Sequence, residues 1–206
     1  MNQVIDTKQR ILDSAERLFA EHGYTATSLR QVIAEAEVNV AAVHYHFGTK
    51  EELLDAVVKR KVAPVTARRM QRLSEVEAEA GGGPPDVAKV LEAFLMPTAE
   101  VAQSNPQFVK LMGRILAEGL LPGIIERHFQ DSAMRFVSTL GRGLPHLGKE
   151  ELMWRVHFMI GAMAFTMMGI PVLQMVPADA AFEDRLRWLV RFLGAGFQAP
   201  AEVGGR

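Results

Sequence analysis

Four helix-spaced apolar runs crowd into the first 58 residues of this chain, and the breaks between them leave room only for tight turns. Ile11, Ala15, Leu18 and Phe19 repeat at helical spacing, with Lys8, Arg10, Asp13 and Glu16 around them. Gly23, after His22, is a C-terminal stop. Thr27 stands in an N-cap position ahead of Leu29, Val32, Ile33 and Ala36, which recur at i, i+3, i+4 and i+7. Asn39 is the next N-cap, before a short helix through Val43 to about His46 that Gly48 breaks. Thr49 opens a capping box with Glu52, and Leu53, Leu54, Val57 and Val58 begin a fourth helix. A long helix, two short ones on a tight turn and a fourth leaving make a helix-turn-helix pattern. Such a pattern presents the start of its second short helix to the DNA major groove. Spacing alone is shared with other small helical hairpins.

The rest of the chain keeps a helical period. Gly81-Gly82-Gly83-Pro84-Pro85 is a loop, and Val87, Val90, Leu91, Phe94 and Leu95 resume the spacing. Helices are predicted over 106–117, 124–140, Lys149 to about Met168, and 179–197, with loops at 119–123 and 141–148. Pro64 and Pro97 are expected to disturb their helices, Gly169-Ile170-Pro171 to kink the one before it, and 198–206 to fray. No strand pattern persists, so the predicted fold is all-α.

Composition excludes several chemistries. Among 206 residues there is no cysteine, hence no disulfide frame, thiolate zinc site or cysteine nucleophile, which fits a cytoplasmic location. The polar start of the chain carries no secretory core, and no stretch approaches the roughly 20 apolar residues of a membrane span. Without a phosphate-binding glycine loop, a paired-histidine metal motif or a nucleophile elbow, neither an enzyme nor a cofactor is expected.

The early residues carry more than spacing. The stretch from Thr27 to Leu54, TSLRQVIAEAEVNVAAVHYHFGTKEELL, closely resembles the DNA-binding signature of the TetR family of bacterial transcriptional regulators. The preceding ILDSAERLFAEHGYTATS resembles that family's first helix and its Gly-Tyr link. The likeness covers residues 8–58 and combines Phe19, Gly23, Tyr24, Thr27, Ile33, Ala34, Tyr45-His46-Phe47 and Lys50 in order. It implies a helix-turn-helix DNA-binding domain over 1–52 and an effector-binding and dimerisation domain over 53–206. One departure bears on the angle of the third helix: the family usually has Gly in the turn where this chain has Glu37. A left-handed backbone there costs Glu about 1 kcal/mol more than Gly.

By this resemblance Asn39 to His46 is the recognition helix. Val40, Ala41 and Ala42 at its start suit thymine methyl groups better than bidentate hydrogen bonds. His44 and Tyr45 carry polar edges for bases or phosphates, Arg30 reaches a base edge or a phosphate, and His46 adds a phosphate contact. Thr27 and Lys50 match positions that hold the DNA backbone in the family. Both are read as standing at helix N-termini, where free N–H groups and the dipole favour a phosphate. Plainer roles stand beside these: Val43 and Phe47 are core, and Tyr24 packs at the end of the first helix. His44 and His46, at i and i+2, point apart, so no metal site is expected.

The net charge of -1 conceals a neutral reading head, since Arg30 and Lys50 balance Glu35 and Glu37 between Tyr24 and Lys50. Lys8 and Arg10, read as lying ahead of the first helix, add backbone contacts. The run Lys59, Arg60, Lys61, Arg68, Arg69 and Arg72, with no acid among them, reads as a solvated helix face with a small share in long-range attraction.

Towards the end of the chain, Met153, Met159, Met163, Met167, Met168 and Met175 lie among Gly161, Ala162 and Ala164, flanked by Phe158 and Phe165. A helix so uncharged from Phe158 onward needs burial on most sides: by core, by a subunit interface, or around an apolar ligand. TetR resemblance favours the last two together. It implies a homodimer through the last two helices, with Leu186, Leu189, Val190, Leu193 and Phe197 as the stripe of the second. It also implies an effector pocket, for which Phe94, Phe108, Met112, Ile115, Phe129, Met134, Trp154, Phe158, Met163 and Met167 are the candidate lining. Each taken singly is also an ordinary core residue. Arg114, Arg135, Arg155 and His157 are anchors for an anionic head group or, more simply, surface salt-bridge partners. VNVAAVHYHFG with GRILAEG and ELMWRVHFMIGA resembles a branch that includes regulators of fatty-acid metabolism. A fatty acid or acyl-CoA is the first effector expected, and a lipophilic drug or aromatic compound the next. The expected function is a ligand-responsive repressor on a palindromic double-stranded operator. The alternative is a carrier or sensor of apolar ligands with weakened DNA binding.

Overall fold

A computed structural model describes residues 2–168 and 180–201, and every element among them is helical. The order is α1 (Asn2–His22), α2 (Leu29–Ala36), α3 (Val40–Phe47), α4 (Lys50–Glu79), α5 (Val87–Ser104), α6 (Pro106–Ala117), α7 (Leu121–His128), α8 (Gln130–Gly143), α9 (Lys149–Met168) and α10 (Phe182–Gln198). The all-α expectation holds. Gly169-Ile170-Pro171, Met175 and Asp179 lie outside the described residues, as does the side chain of Met168.

The chain forms two compact units. One comprises the described residues up to Pro64 together with Asn105–Phe129; the other comprises Val65–Ser104 and the described residues from Gln130 onward. In the first unit α1 packs on α2, α3 and α6. Its buried set is Ile11, Leu12, Ala15, Leu18 and Phe19 with Val32, Val43, Phe47, Leu53 and Val57. In the second unit Leu91, Phe94, Leu95, Phe136, Leu140, Met159 and Leu193 form one core cluster, with Phe94 and Phe136 rings 4.2 Å apart.

Several local expectations need correction. Thr27 is not the N-cap of α2: its hydroxyl donates to the Gly23 carbonyl at 2.7 Å and is 2% exposed. Ser28 caps instead, its Oγ accepting from the Gln31 N–H while the Gln31 side chain accepts from the Ser28 N–H. Lys8 and Arg10 lie inside α1, not ahead of it. Pro64 and Pro97 do not stop α4 or α5. Pro removes one intrahelical donor and crowds the preceding turn, yet both helices run on past their prolines. Pro122 falls in the first turn of α7, where a missing N–H goes unnoticed, so the predicted 119–123 loop shrinks to 118–120. Phe129 splits the predicted 124–140 helix into α7 and α8.

The basic run of α4 is not a solvated face. Arg60 bonds Gln9, Asp13 and Glu16, and Lys61 also reaches Glu16, which is itself buried. Arg68 and Arg72 share Glu100 at 2.7 and 2.6 Å. Arg69 is 3% exposed, donates to the Phe94 carbonyl and to Thr98 Oγ1, and lies 3.7 Å above the Phe94 ring. Burial pushes its pKa down to about 9. The acids that answer Arg60, Lys61, Arg68 and Arg72 come from α1 and α5, while Lys59 is exposed.

Glu37 adopts the left-handed conformation, with φ 50° and ψ 46°. The turn keeps its geometry because the Glu37 N–H donates to Ala34 and the Val38 N–H to Ile33. Arg10 donates to the Ala36 and Glu37 carbonyls from outside. Glu37→Gly therefore stabilises the chain by no more than about 0.5 kcal/mol, the left-handed cost of a Cβ less the extra entropy of unfolded Gly. Urea unfolding measures the change, and a destabilisation would show that the turn carries no strain.

Candidate nucleic-acid interface

The third helix is built to show one face. Asn39 caps it, Oδ1 accepting from the Ala42 N–H at 2.8 Å. Val43 and Phe47 are buried, which turns Val40 (56% exposed), Ala41, His44 and Tyr45 (83% exposed) outward together. Ala42 and His46 are half-buried at the edges of that face, the His46 ring 5.1 Å from Tyr45. His44 Nδ1 donates to the Gly48 carbonyl at 3.0 Å, which leaves Nε2 as the nitrogen available to a partner. Arg30, on α2, is exposed.

Two helix starts stand beside this face. At α4 the predicted capping box is present: the Thr49 N–H donates to Glu52 and the Glu52 N–H to Thr49 Oγ1. The Glu52 carboxyl is held below its usual range by the Thr49 hydroxyl and N–H. Lys50 rests with Nζ 4.3 Å above the Tyr24 ring and donates to the Thr25 carbonyl at 3.4 Å. Burial lowers its pKa, and Glu118 opposes that. At α2 the residue that sequence reasoning missed is Ser28, whose Ser-x-x-Gln spacing was the available signal. Thr27, with its hydroxyl buried on Gly23, offers no side-chain donor to a phosphate.

Residues 11–57 match the family profile described as bacterial regulatory proteins, tetR family, and residues 92–196 match the tetracyclin repressor-like C-terminal domain. The HTH-type transcriptional repressor Rv3405c of Mycobacterium tuberculosis (strain ATCC 25618 / H37Rv) is 41% identical over 155 residues, 71% of this chain and 70% of that protein. The chain belongs to the TetR family. The uncharacterized HTH-type transcriptional regulator YerO of Bacillus subtilis (strain 168) is 26% identical over 117 residues, 57% of this chain but only 37% of YerO. The fold resembles that of the fatty acid degradation regulator FadR from Bacillus halodurans with a TM-score of 0.65 at 13% identity, covering 92% and 95% of the two chains. TetR-family proteins are transcriptional regulators and not enzymes; they bind DNA and act as dimers.

In this TetR-family chain the ten candidate effector residues are divided between the two units. Phe108 and Ile115 are buried in the first unit, where Met112 and Phe129 are half-buried. In the second unit Phe94 is core, Met163 packs partly buried against that core, and Met167 is half-buried. Met134, Trp154 and Phe158 are exposed. A groove of about 1050 Å³ does exist in the second unit, walled by α4, α5 and α10, with Val76, Ala93, Met96, Leu186 and Val190 among its lining, yet none of the ten lines it. Trp154 lines a second, shallower depression on α9 with Met153 and His157. Of the four expected anchors, the three arginines are engaged elsewhere. Arg114 donates to the Glu21 carbonyl, Arg135 pairs with Glu77, and Arg155 pairs with Glu151 while donating to the Gly196, Phe197 and Ala199 carbonyls at the end of α10.

The exposed aromatic side chains instead mark α9 and α10. Trp154, Phe158 and Phe165 recur at helical spacing on α9, as Trp188 and Phe192 do on α10. Leu186, Leu189, Leu193 and Phe197 of the predicted α10 stripe are buried within the protomer, and Val190 is half-buried. No helix among the described residues is long and apolar enough to cross a membrane, and no group of three or more His, Asp or Glu among them has the arrangement of a metal site.

Proposed function

We propose that this TetR-family chain is a ligand-responsive repressor that binds a palindromic operator as a homodimer through α9 and α10 and is released by an apolar effector. The observation that carries the reading is the outward face of Val40, Ala41, His44 and Tyr45 on α3. A helix of this kind fits a major groove, with its small apolar start against thymine methyl groups. DNA binding is assigned to 1–52, effector binding and dimerisation to 53–206. Two copies joined at α9 and α10 put two such helices about one DNA turn, roughly 34 Å, apart, which selects a palindrome. The name of the repressor Rv3405c supports the direction of control. Effector binding favours a spacing of the heads that no longer fits successive grooves, so operator affinity falls.

The methionines of α9 favour a flexible apolar effector, a fatty acid or acyl-CoA first and a lipophilic compound second. Mass spectrometry of material extracted from the purified protein identifies it. The carrier reading drew on Glu37 and on the neutral reading head, and the left-handed turn formed at Glu37 weighs against the first of these. A gel shift with DNA flanking the gene tests the whole: a specific, competable complex is expected, and its absence across that DNA sinks the reading.

Salt dependence follows from the charges. Four of the six bases of the α4 run are paired with acids of the protein, and Arg30 and Lys50 are the cations assigned to the operator. Two phosphates neutralised per protomer give a log-log slope of about −4 for the dimer, and a slope of about −8 or steeper would contradict it.

A further inference from the structure

We propose that Glu118, at the end of α6, is a positioning residue for operator binding: its carboxylate holds the Tyr24–Thr25 backbone on which Lys50 is seated. The inference rests on the DNA-binding reading above and deepens it.

One carboxylate oxygen of Glu118 accepts from both the Thr25 N–H and the Thr25 hydroxyl, each at 2.8 Å. The Thr25 carbonyl, on the other side of the same residue, accepts from Lys50 Nζ. Lys50 also lies over the ring of Tyr24, the neighbouring residue. Glu118 thus fixes the two residues that fix Lys50. The carboxylate comes so close to the loop that a Cβ on Gly23 would stand 2.1 Å from its Oε1, and Gly23 has φ 89° besides. Only glycine meets both demands.

The contact is part of a polar seam along α6. Gln107 donates to the Arg17 carbonyl at 3.5 Å and Arg114 to the Glu21 carbonyl at 2.9 Å, so positions 107, 114 and 118 address the last turns of α1 and the loop after it. Burial raises the Glu118 pKa, but hydrogen bonds from Thr25 and Tyr24 and the charge of Lys50 outweigh it, and the group is held below the usual carboxylate range. It is therefore ionised at neutral pH. The held loop leads directly into Ser28, the cap of α2, and its other side carries Lys50. Glu118 acts on DNA through Lys50 and does not touch it.

A double-mutant cycle separates positioning from simple packing. Glu118→Ala and Glu118→Gln are made in the full-length protein, each with Lys50 present and with Lys50→Ala. Operator affinity is read by fluorescence anisotropy at low salt, and Tm is measured for every variant. With Lys50 present, Glu118→Ala is expected to weaken operator binding about tenfold and Glu118→Gln, which keeps one acceptor, about threefold. With Lys50→Ala both losses should shrink below about twofold, whereas the fall in Tm should be the same in both backgrounds. Equal affinity losses in the two backgrounds would overturn the proposal, since the loop would then matter without Lys50; so would no loss at all. Should Glu118→Ala not fold, Glu118→Gln gives the same pattern at smaller size. If the wild type binds no operator, the DNA-binding reading falls and this one with it; if the wild type binds and the variants bind equally well, only Glu118 loses its role.

Discussion

Tyr45→Ala combined with Lys50→Ala lowers operator affinity more than about 100-fold and leaves the dimer intact, since a lost base or phosphate contact costs about 1–3 kcal/mol and the change counts twice in a dimer. Folding should be nearly untouched. Tyr45 is an outward side chain on α3, and its removal opens no cavity, because the helix is held by Val43 and Phe47 on its other face. Lys50 lies on the surface of Tyr24 and makes one long hydrogen bond, to Thr25. The α4 cap at Thr49 and Glu52 does not involve it. Gel shift reads the affinity and sedimentation reads the dimer. Unchanged operator affinity would show that α3 and the start of α4 are not the contact surface.

Phe158→Glu together with Phe192→Glu converts the protein to a monomer and, with it, lowers operator affinity more than about 100-fold, because two half-sites then bind independently. In the isolated protomer these rings are 63% and 71% exposed. A buried aromatic side chain contributes about 1.5–3 kcal/mol, and a dimer seam repeats each one twice. A carboxylate in its place adds an unpaired charge to a desolvated surface, a cost of several kcal/mol. The protomer itself should remain folded, since its core cluster contains neither ring. Sedimentation at micromolar concentration checks the mass, and a dimer that survives both changes would move the seam away from this face.

Much of the reading head was legible in the residues because its signals are short-range. Asn39, Thr49 with Glu52, Gly23 and Gly48 act on groups within four residues of themselves, and each was read correctly. Glu37 was legible through the resemblance, because the family usually has Gly at that turn. Thr27 misled because two capping residues stand side by side. The choice between them turned on whether Thr27 found the Gly23 carbonyl and burial, and that depends on how α1 ends against the loop. The residues alone do not separate an effector lining from core. Aromatic and methionine residues at helical spacing look alike whether they meet a core, a ligand or a second subunit, and only exposure separates Phe94 from Phe158.

The sequence by itself determined an all-α chain and the short third helix with its caps, since periodicity, caps and a tight turn are properties of neighbours. Tertiary structure alone decided what the charges do. Nothing in Lys59 to Arg72 names its partners, and the bases there meet acids more than 25 residues away on α1 and α5. It also decided that residues 105–129 belong with the first 64, bringing Glu118 to Thr25. A charge pair forms wherever folding brings opposite charges within about 4 Å, and that distance is set by packing rather than by separation along the chain.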